Sequence, residues 1–272
     1  MNKFKLAVLG NPISHSRSPE IHKAFSRQIG IDLSYQKIEV PEGEFDQVAG
    51  ELMLQGYRGF NVTVPCKGDA FRFAARCSAS AVRSEAVNTI SFIDETQVQG
   101  DNTDGPGLAK DLIENHGWQI ENQRILVLGA GGAVRGVLWD LLQRSPLMVH
   151  LYNRNVSRAE AIVKKMAVQE LVAVTKDELE DGYDLVINGT SAGLAQKVPD
   201  LPPRILNKHS RCYDLVYGTR ITPFNDWCRR TSECEVADGL GMLVEQAALS
   251  FQLWFSKTVQ TSQVIADLRK RL

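Results

Sequence analysis

An apolar run that ends in a cluster of glycines, residues 124–136, constrains the fold of this chain more than any other feature. Ile125 to Leu128 has the length and composition of a buried strand, and a helical apolar pattern begins behind the glycines. A strand, a glycine turn and a helix N-terminus together hold a pyrophosphate, because backbone N–H groups and the positive end of the helix dipole face it. The sequence therefore predicts a Rossmann-type unit whose phosphate loop consists of Gly129, Ala130, Gly131, Gly132 and Ala133.

The residues after the next apolar run indicate which dinucleotide would fit. Residues 148–152 form the second predicted strand of the unit, and Asn153, Arg154 and Asn155 follow it about 20 positions after the glycine turn. An NAD site usually offers a carboxylate to the ribose hydroxyls here, whereas Arg154 and Arg158 suit the 2′-phosphate of NADP. We therefore expect NADP as the cofactor. The alternative is that Arg158 is an ordinary surface residue of the following helix.

The totals exclude several other classes of protein. A chain of 272 residues is long enough for two domains, and its formal net charge of −1 gives no electrostatic footprint for nucleic acid or an anionic membrane. No apolar run reaches the roughly 18 residues of a transmembrane helix, and the apolar run at the N-terminus is too short for a signal peptide. The five cysteines are scattered, without the paired spacing of a metal site. We expect a cytoplasmic protein with a small-molecule ligand, no bound metal and no nucleic-acid partner.

The N-terminal segment, residues 1–103, alternates between strand and helix patterns, with polar residues after the strands. Ser14 and Ser16 lie between the first strand and the helix that follows it. Lys67 follows the predicted strand 59–64, at the kind of position where ligands bind in open α/β sheets. Taken alone, these are more often ordinary loop serines and a solvated lysine, so the pattern makes them candidates only.

A second glycine-rich segment, Gly100 to Gly107, separates this part of the chain from the Rossmann-type unit. Its glycines, its proline and its Asn, Thr and Asp side chains predict a turn that leads into a helix. We interpret it as a hinge between two lobes. Either of its carboxylates, Asp101 or Asp104, is a candidate for chemistry.

Two further strands and one helix complete the set of candidates. Strands 184–188 and 211–217 are each expected to end beside the nicotinamide, and the loop around 195–197 is expected to be flexible. An amphipathic helix over 238–255 carries Gln246 near the edge of its apolar stripe, so this side chain is placed to reach a cleft.

Five motifs, in order along the chain, resemble those of shikimate dehydrogenases. They are Gly10–Pro19, Asn61–Lys67, Ala86–Thr89, Asn102–Gly105 and Asp238–Val244, and the glycine loop, Asn153–Arg154 and Thr222–Phe224 extend the resemblance over nearly the whole chain. The resemblance implies reversible, NADPH-dependent reduction of 3-dehydroshikimate to shikimate, a step of aromatic amino-acid biosynthesis. It also implies an α/β fold with two domains. A discontinuous N-terminal substrate domain, residues 1–103 and 238–272, is completed by the C-terminal helices, and residues 104–237 form the Rossmann NADP-binding domain.

The resemblance also assigns contacts to individual side chains. Ser14 and Ser16 look like the hydroxyls that hold the substrate carboxylate. Partners for the ring hydroxyls are implied at Thr63, Asn88, Asp104 and Gln246, and further substrate contacts are implied at Lys67 and Tyr217. The implied cofactor set is the phosphate loop together with Asn153, Arg154, Asn155, Arg158, Thr190 and Gly239.

Lys67 and Asp104 look like the catalytic pair of this family. In the reductive direction the carbonyl oxygen gains negative charge, which a nearby ammonium can stabilise and protonate. A carboxylate beside Lys67 favours its charged form, so oxidation should run best at alkaline pH. Asp101 is then expected to be a solvated residue.

Three residues depart from the family pattern near these sites. Cys66 stands where a bulky aromatic residue is frequent, and Gly68 where Glu is frequent, so we expect a looser loop at Lys67 and a thiol that is sensitive to alkylation. Asn155 replaces a frequent Thr after Arg154, although both arginines of the expected phosphate site are present.

Two other functions stay open on the sequence alone. A quinate/shikimate dehydrogenase that accepts NAD and quinate is the alternative within the enzyme class, and the two serines and two arginines argue against it. A regulator or inactive paralogue that binds NADPH or shikimate without turnover is the alternative from another class, and Lys67 and Asp104 argue against it. The sequence is compatible with a monomer or a homodimer.

Overall fold

The computed structural model describes residues 3–93, 97–190 and 198–272. The chain divides into two compact units, of which the first comprises Met1–Gly107 and Val244–Asp267 and the second comprises Leu108–Leu243 and Leu268–Leu272. The domain division that the resemblance implies stays a prediction: in the structure, residues 104–107 fall in the first unit, and residues 238–243 and 268–272 fall in the second. The loop around 195–197 that was expected to be flexible lies outside the described residues.

The first unit is built on a six-stranded mixed sheet. Its strands are β1 (Phe4–Gly10), β2 (Leu33–Glu39), β3 (Gly59–Val62), β4 (Arg76–Cys77), β5 (Thr89–Phe92) and β6 (Val98–Asp101), in the order β2-β1-β3-β5-β6-β4. The helices in this part of the chain are α1 (Ser18–Gln28), α2 (Phe45–Leu54), α3 (Lys67–Phe73), α4 (Ala79–Ser84) and α5 (Asp104–Lys110). β1 is parallel to β2 and β3, β4 is parallel to β6, and β5 is antiparallel to β3 and β6.

The strand directions bring four chain segments to one edge of this sheet. β1 and β3 are parallel, so both end at that edge. β5 runs the other way and begins there, with Thr89 opposite Asn61 of β3. β6 returns to the same edge and ends with Asp101 opposite Thr89. The residues that follow β1, β3 and β6 and those that precede β5 therefore meet.

The second unit is a doubly wound sheet of six parallel strands. They are β7 (Arg124–Leu128), β8 (Met148–Tyr152), β9 (Leu171–Val174), β10 (Leu185–Asn188), β11 (Arg211–Asp214) and β12 (Glu235–Asp238), in the order β12-β11-β10-β7-β8-β9. Helices α6 (Gly132–Leu142), α7 (Val156–Met166) and α8 (Pro223–Ser232) follow β7, β8 and β11. This is the strand order of a Rossmann sheet, and the predicted α/β fold class is confirmed.

Both faces of the second sheet are buried, which explains the unbroken apolar run at its centre. Ile125 and Val127 of β7 pack into one apolar cluster, whereas Leu126 and Leu128 pack into another. Successive side chains of a strand point to opposite faces, so a strand covered on both sides must be apolar at every position.

Helices α9 (Leu240–Phe255) and α10 (Ser262–Arg271) end the chain, and the larger part of each belongs to the first unit. Phe251 and Trp254 of α9 are buried, and Trp254 Nε1 donates a 3.0 Å hydrogen bond to the carbonyl oxygen of Ile90 in β5. Gly59 permits this packing, since a Cβ there would lie 2.5 Å from Trp254 Nε1. Burial of each aromatic side chain contributes about 2–3 kcal/mol to the stability of the unit.

The segment Gly100 to Gly107 is not the continuous turn that its composition predicts. Gly100 and Asp101 belong to β6, and α5 begins at Asp104. Gly100 allows close packing, because a Cβ there would lie 2.7 Å from the Ala74 Cβ and 2.8 Å from the Val87 Cγ2. The expectation that Asp101 is solvated is wrong: its Oδ2 is buried without a hydrogen-bond partner among the described residues, and burial raises its pKa.

None of the described helices combines the length and the apolar character that a membrane span needs.

Candidate functional site

Lys67 and Asp104 lie in contact at the edge of the first sheet where β1, β3 and β6 end. Lys67 Nζ donates a hydrogen bond to Asp104 Oδ2, and the side chains are 22% and 10% exposed. Each is the first residue of its helix, α3 and α5 respectively. The backbone N–H of Asp104 donates to Asn102 Oδ1 at 3.0 Å, which fixes the start of α5. The arrangement presents a partly exposed ammonium whose counter-ion is held in place.

Asn88, immediately before β5, holds the second oxygen of the same carboxylate. Its Nδ2 donates to Asp104 Oδ1 at 2.8 Å, while its Oδ1 accepts a 2.9 Å bond from the backbone N–H of Thr103. A backbone N–H can only donate, so the amide of Asn88 has one possible orientation. Asp104 is therefore bonded on Oδ1 by Asn88 and on Oδ2 by Lys67.

Gln246 reaches this cluster from α9. Its Oε1 accepts from Asn88 Nδ2 at 3.2 Å, and its side chain is buried. Gly107 lets α5 approach α9 at this point, because a Cβ on Gly107 would lie 2.7 Å from the backbone nitrogen of Gln246. Four of the predicted site residues, Lys67, Asn88, Asp104 and Gln246, thus form one hydrogen-bonded group.

The remaining predicted substrate residues of the first unit lie in the loops after β1 and β3. Thr63 is partly exposed, and Ser14 is exposed. The Ser16 hydroxyl accepts a 3.3 Å bond from the backbone N–H of Ser18, at the start of α1. Among the described residues, no side-chain hydrogen bond joins either serine or Thr63 to Lys67.

Cys66 precedes Lys67, and its surroundings do not favour the reactive thiol that the sequence predicts. The side chain is 4% exposed, and its burial, together with the charge of Asp69, raises the pKa of the thiol.

Because the thiolate is the nucleophile, we expect iodoacetamide at neutral pH to modify Cys66 more slowly in the folded protein than after denaturation. Mass spectrometry of the modified peptides measures this difference. Rapid inactivation that is abolished by Cys66→Ser would restore the original expectation, whereas inactivation that persists in that variant points to another residue.

The phosphate loop of the second unit has the geometry that its glycines predict. Gly129 has a φ of +106°, and a Cβ there would lie 3.0 Å from the carbonyl oxygen of Gly189. Gly131 and Gly132 have open space where a Cβ would stand, and no side chain caps the N-terminus of α6. Val134 replaces the third glycine of the general pattern, and Gly189 makes room for it, since a Cβ on Gly189 would lie 2.4 Å from the Val134 Cγ2. The N–H groups that begin α6 are left free to bind an anion.

The residues after β8 present two cationic side chains to solvent. Arg154 and Arg158 are exposed, and neither forms an ion pair with any residue in the described parts of the chain. Asn153 Nδ2 donates to the carbonyl oxygen of Asn155 at 2.7 Å and closes the turn that leads into α7. Two unpaired guanidinium groups at the carboxyl end of a Rossmann strand are suited to bind a phosphate.

Other predicted cofactor and substrate residues follow neighbouring strands at the same edge of this parallel sheet. Thr190 follows β10, and both its N–H and its hydroxyl donate to Asn188 Oδ1, at 3.1 and 2.8 Å. Tyr217 follows β11 and is partly exposed. Gly239 follows β12 and must be glycine, since a Cβ there would lie 2.2 Å from the carbonyl oxygen of Leu215. No group of three potential metal ligands occurs among the described side chains.

Two buried residues that contact this cluster were not indicated by the sequence. Asn61 stands in β3 on what the alternation with Phe60 and Val62 predicts to be a polar face, yet it is 5% exposed. Ser250 is fully buried one turn after Gln246 and donates to the carbonyl oxygen of that residue at 3.0 Å. A hydroxyl four positions after Gln246, within an apolar helix, is the signal that identifies Ser250 in retrospect.

A Rossmann sheet with a phosphate loop in one unit and a lysine–carboxylate pair in the other define the class of α/β dehydrogenases that use a dinucleotide. Comparison with known families narrows the class. Residues 8–90 match the shikimate dehydrogenase substrate binding domain, residues 108–196 match shikimate / quinate 5-dehydrogenase, and residues 239–269 match the shikimate 5'-dehydrogenase C-terminal domain. The chain belongs to the shikimate dehydrogenase family.

Individual relatives resemble the chain over its whole length. The shikimate dehydrogenase (NADP(+)) of Alkalilimnicola ehrlichii is 47% identical over 97% of this chain and 98% of its own. That of Chromobacterium violaceum is 45% identical over 98% of both chains. Among solved structures, shikimate 5-dehydrogenase from Thermus thermophilus, in complex with NADP(H) and shikimate, matches with a TM-score of 0.89 and 31% identity over 99% of this chain and 100% of that chain.

Proposed function

We propose that this chain catalyses the reversible, NADPH-dependent reduction of 3-dehydroshikimate to shikimate, a step of aromatic amino-acid biosynthesis. The observation that carries the proposal is the ion pair of Lys67 and Asp104, in which Asn88 holds the second oxygen of the carboxylate. A partly exposed ammonium of this kind can stabilise and protonate a carbonyl oxygen that gains negative charge. Relatives named for this activity, and a similar structure solved with NADP(H) and shikimate, support the proposal.

The second unit offers NADP(H) a fitting set of groups. The open space at Gly131 and Gly132 admits a pyrophosphate close to the N–H groups of α6, and Arg154 and Arg158 are available for the 2′-phosphate. When bound, NADPH supplies the hydride that the carbonyl carbon of the substrate receives.

Lys67 provides the proton of the reduction. Its ammonium, oriented by Asp104, donates to the carbonyl oxygen, and Asn88 keeps the carboxylate in one orientation. In the opposite direction the amine of Lys67 accepts the proton of the shikimate hydroxyl.

The proposal assigns the other substrate contacts by their position. The hydroxyls of Ser14 and Ser16, in the loop after β1, would bind the substrate carboxylate. Ring hydroxyls would bind Thr63, Asn88, Asp104 and Gln246, with Tyr217 as a further contact. The accessibility of Ser14 and Thr63 and the hydrogen-bonded group around Asn88 support these assignments.

Arg154→Gln is expected to raise the KM for NADP⁺ about tenfold or more, because a charge-assisted hydrogen bond to a phosphate contributes about 1.5–3 kcal/mol. The KM for shikimate should stay within about twofold, since Arg154 follows β8 of the second sheet and is not among the residues proposed to contact shikimate. Steady-state kinetics with each substrate varied in turn measures both constants. Arg144→Gln, at another exposed position of the same unit, is the matched control. An unchanged KM for NADP⁺ would remove Arg154 from the phosphate site.

The direct test of the function is a spectrophotometric assay of the purified protein with shikimate and NADP⁺. We expect the near-ultraviolet absorbance of NADPH to rise, and no rise to occur when either substrate is omitted. A clear preference for quinate with NAD⁺ would instead identify a quinate dehydrogenase. Binding of NADPH without turnover of either substrate would identify a regulator and overturn the proposal.

The proposal extends to the location of the protein in the cell and to its oligomeric state. We place the protein in the cytoplasm, because its family is biosynthetic and its five cysteines are free thiols, as is usual in a reducing compartment. We expect a monomer or a homodimer, which sedimentation equilibrium distinguishes.

A further inference from the structure

We propose that Asn61 is a positioning residue for the Lys67–Asp104 pair, that it acts through Asn88, and that His22 fixes its orientation. We call the four residues His22, Asn61, Asn88 and Asp104 the amide relay. Its effect on turnover rests on the proposed function, whereas its geometry does not. All four residues belong to the first unit.

The relay begins with the contact between its two amides. Asn61 Nδ2 donates to the backbone carbonyl oxygen of Asn88 at 3.1 Å and lies 3.3 Å from the Thr89 hydroxyl. Thr89 Oγ1 in turn donates to Asn88 Oδ1 at 2.9 Å. Asn61 therefore holds Asn88 both at its backbone and, through Thr89, at its side chain.

The orientation of the Asn61 amide follows from the same contact. A carbonyl oxygen can only accept, so the nitrogen of Asn61 must face Asn88, and Oδ1 must face the opposite side. There it accepts a 2.7 Å bond from the hydroxyl of Tyr35 and lies 3.0 Å from His22 Nε2.

His22 must be the donor in its contact with Asn61, because an amide oxygen cannot donate. Its proton therefore resides on Nε2, and its Nδ1 is buried without a partner among the described residues. Burial lowers the pKa of His22 to about 3, so the ring is neutral at any working pH, even though the bond to Asn61 opposes this shift. The ring stacks on Tyr35, with centroids 4.6 Å apart and planes 10° apart. His22 is thus a fixed donor and not a titrating group.

Ser250 supports the relay from α9. Its hydroxyl lies 3.1 Å from Asn61 Nδ2, 2.7 Å from Thr89 Oγ1 and 3.2 Å from Thr103 Oγ1. Because the Ser250 proton goes to the carbonyl oxygen of Gln246, the Ser250 oxygen is an acceptor for Asn61 Nδ2, and it lies beside the two hydroxyls that bond to Asn88 Oδ1.

Loss of the N–H donor of His22 is expected to change the position of the Asp104 carboxylate. Without the His22 N–H, Oδ1 of Asn61 keeps only the bond from Tyr35, so the amide is held less firmly. Its Nδ2 can then shift relative to the carbonyl oxygen of Asn88, and the shift would displace Asn88 and lengthen its bond to Asp104. Because a displacement of 1 Å at reacting groups costs about 10²-fold in rate, we expect a loss of about tenfold for a partial displacement.

Two substitutions of His22 separate the contribution of its N–H donor from the contribution of its ring packing. His22→Phe keeps the ring stack and removes the donor, and we expect kcat to fall about tenfold with the Tm near that of the wild type. His22→Gln keeps an N–H donor and removes the ring, and we expect a lower Tm with kcat within about twofold of the wild type. If His22 served packing alone, His22→Phe would be fully active and His22→Gln would have the lower kcat. That result would overturn the proposal.

A second pair of variants covers the case in which the His22 substitutions do not fold. Ser250→Ala and Ser26→Ala each delete one buried hydroxyl in the first unit, but the Ser26 hydroxyl donates only to the carbonyl oxygen of Lys23. We expect Ser250→Ala to lower kcat severalfold, with the KM for NADP⁺ unchanged, and Ser26→Ala to behave as the wild type. Equal activity of the two variants would contradict the relay.

Nuclear magnetic resonance of the substrate-free protein tests the relay without any assay of function. We expect the Nδ2 hydrogens of Asn88 to exchange slowly with solvent in the wild type and in Ser26→Ala, and faster in His22→Phe and Ser250→Ala. The ¹⁵N signals of His22 should report a proton on Nε2 only, from about pH 5 to 9. A doubly protonated ring at neutral pH would refute the relay even if the enzyme is active. An inactive wild type with the expected spectra would refute the proposed function and leave the relay intact.

Discussion

Lys67→Ala is expected to lower turnover about 10²–10⁴-fold in both directions, the range that a positioned general acid or base contributes. The affinity for shikimate should change little, because other side chains supply most of the proposed substrate contacts. Single-turnover rates and equilibrium titration with shikimate separate the two effects. Lys23→Ala, at an exposed position of α1, is the control and should keep wild-type kinetics.

The variant is expected to fold, because Asp104 keeps its hydrogen bond from Asn88 when Lys67 is shortened. Circular dichroism and the Tm check this point. Turnover near the wild-type value in a folded Lys67→Ala protein would remove Lys67 from the mechanism. A large loss of shikimate affinity with normal turnover would assign Lys67 to binding alone.

Asp104→Asn is expected to lower turnover about 10²-fold, because the amide removes the charge that pairs with the Lys67 ammonium and orients it. The substituted side chain must also face the Nδ2 of Asn88, and an amide nitrogen in that position would disturb the group further. The assay is the same, with kcat and KM measured in both directions. Asp69→Asn is the matched control, since Asp69 pairs with Arg72 near the start of the same helix as Lys67. A rate unaffected by Asp104→Asn would leave Asp104 as a residue that only begins α5.

Local chemistry made the second unit predictable from the sequence. The strand over Ile125 to Leu128 is apolar at every position because both of its faces are buried, and the glycines behind it leave few alternatives to a phosphate loop. Here the pattern of single residues determines the structure directly. The parallel directions of β7, β8 and β9, and of β11 and β12, then follow from the βαβ connections.

The roles of some glycines and buried polar residues of the first unit do not follow from the local sequence. Gly100 indicated a turn, but it is required because Ala74 and Val87 approach it closely, and a sequence does not distinguish close approach from an unusual backbone angle. Asn61 and Ser250 are polar residues inside apolar segments. Apart from Gln246, which lies one helical turn before Ser250, their partners lie 26 to 189 positions away in the sequence, so only the tertiary structure shows that their hydrogen bonds are satisfied.

The construction of the first unit from both ends of the chain determines the order in which the protein can fold on the ribosome. All six strands β1 to β6 are synthesised before the second unit, whereas Phe251 and Trp254, which cover Phe25 and Ile90, arrive with α9 near the end. At about 5–20 residues per second, the nascent chain carries an uncovered apolar face for on the order of ten seconds. We expect this face to be the part of the nascent chain that chaperones for exposed apolar surface bind.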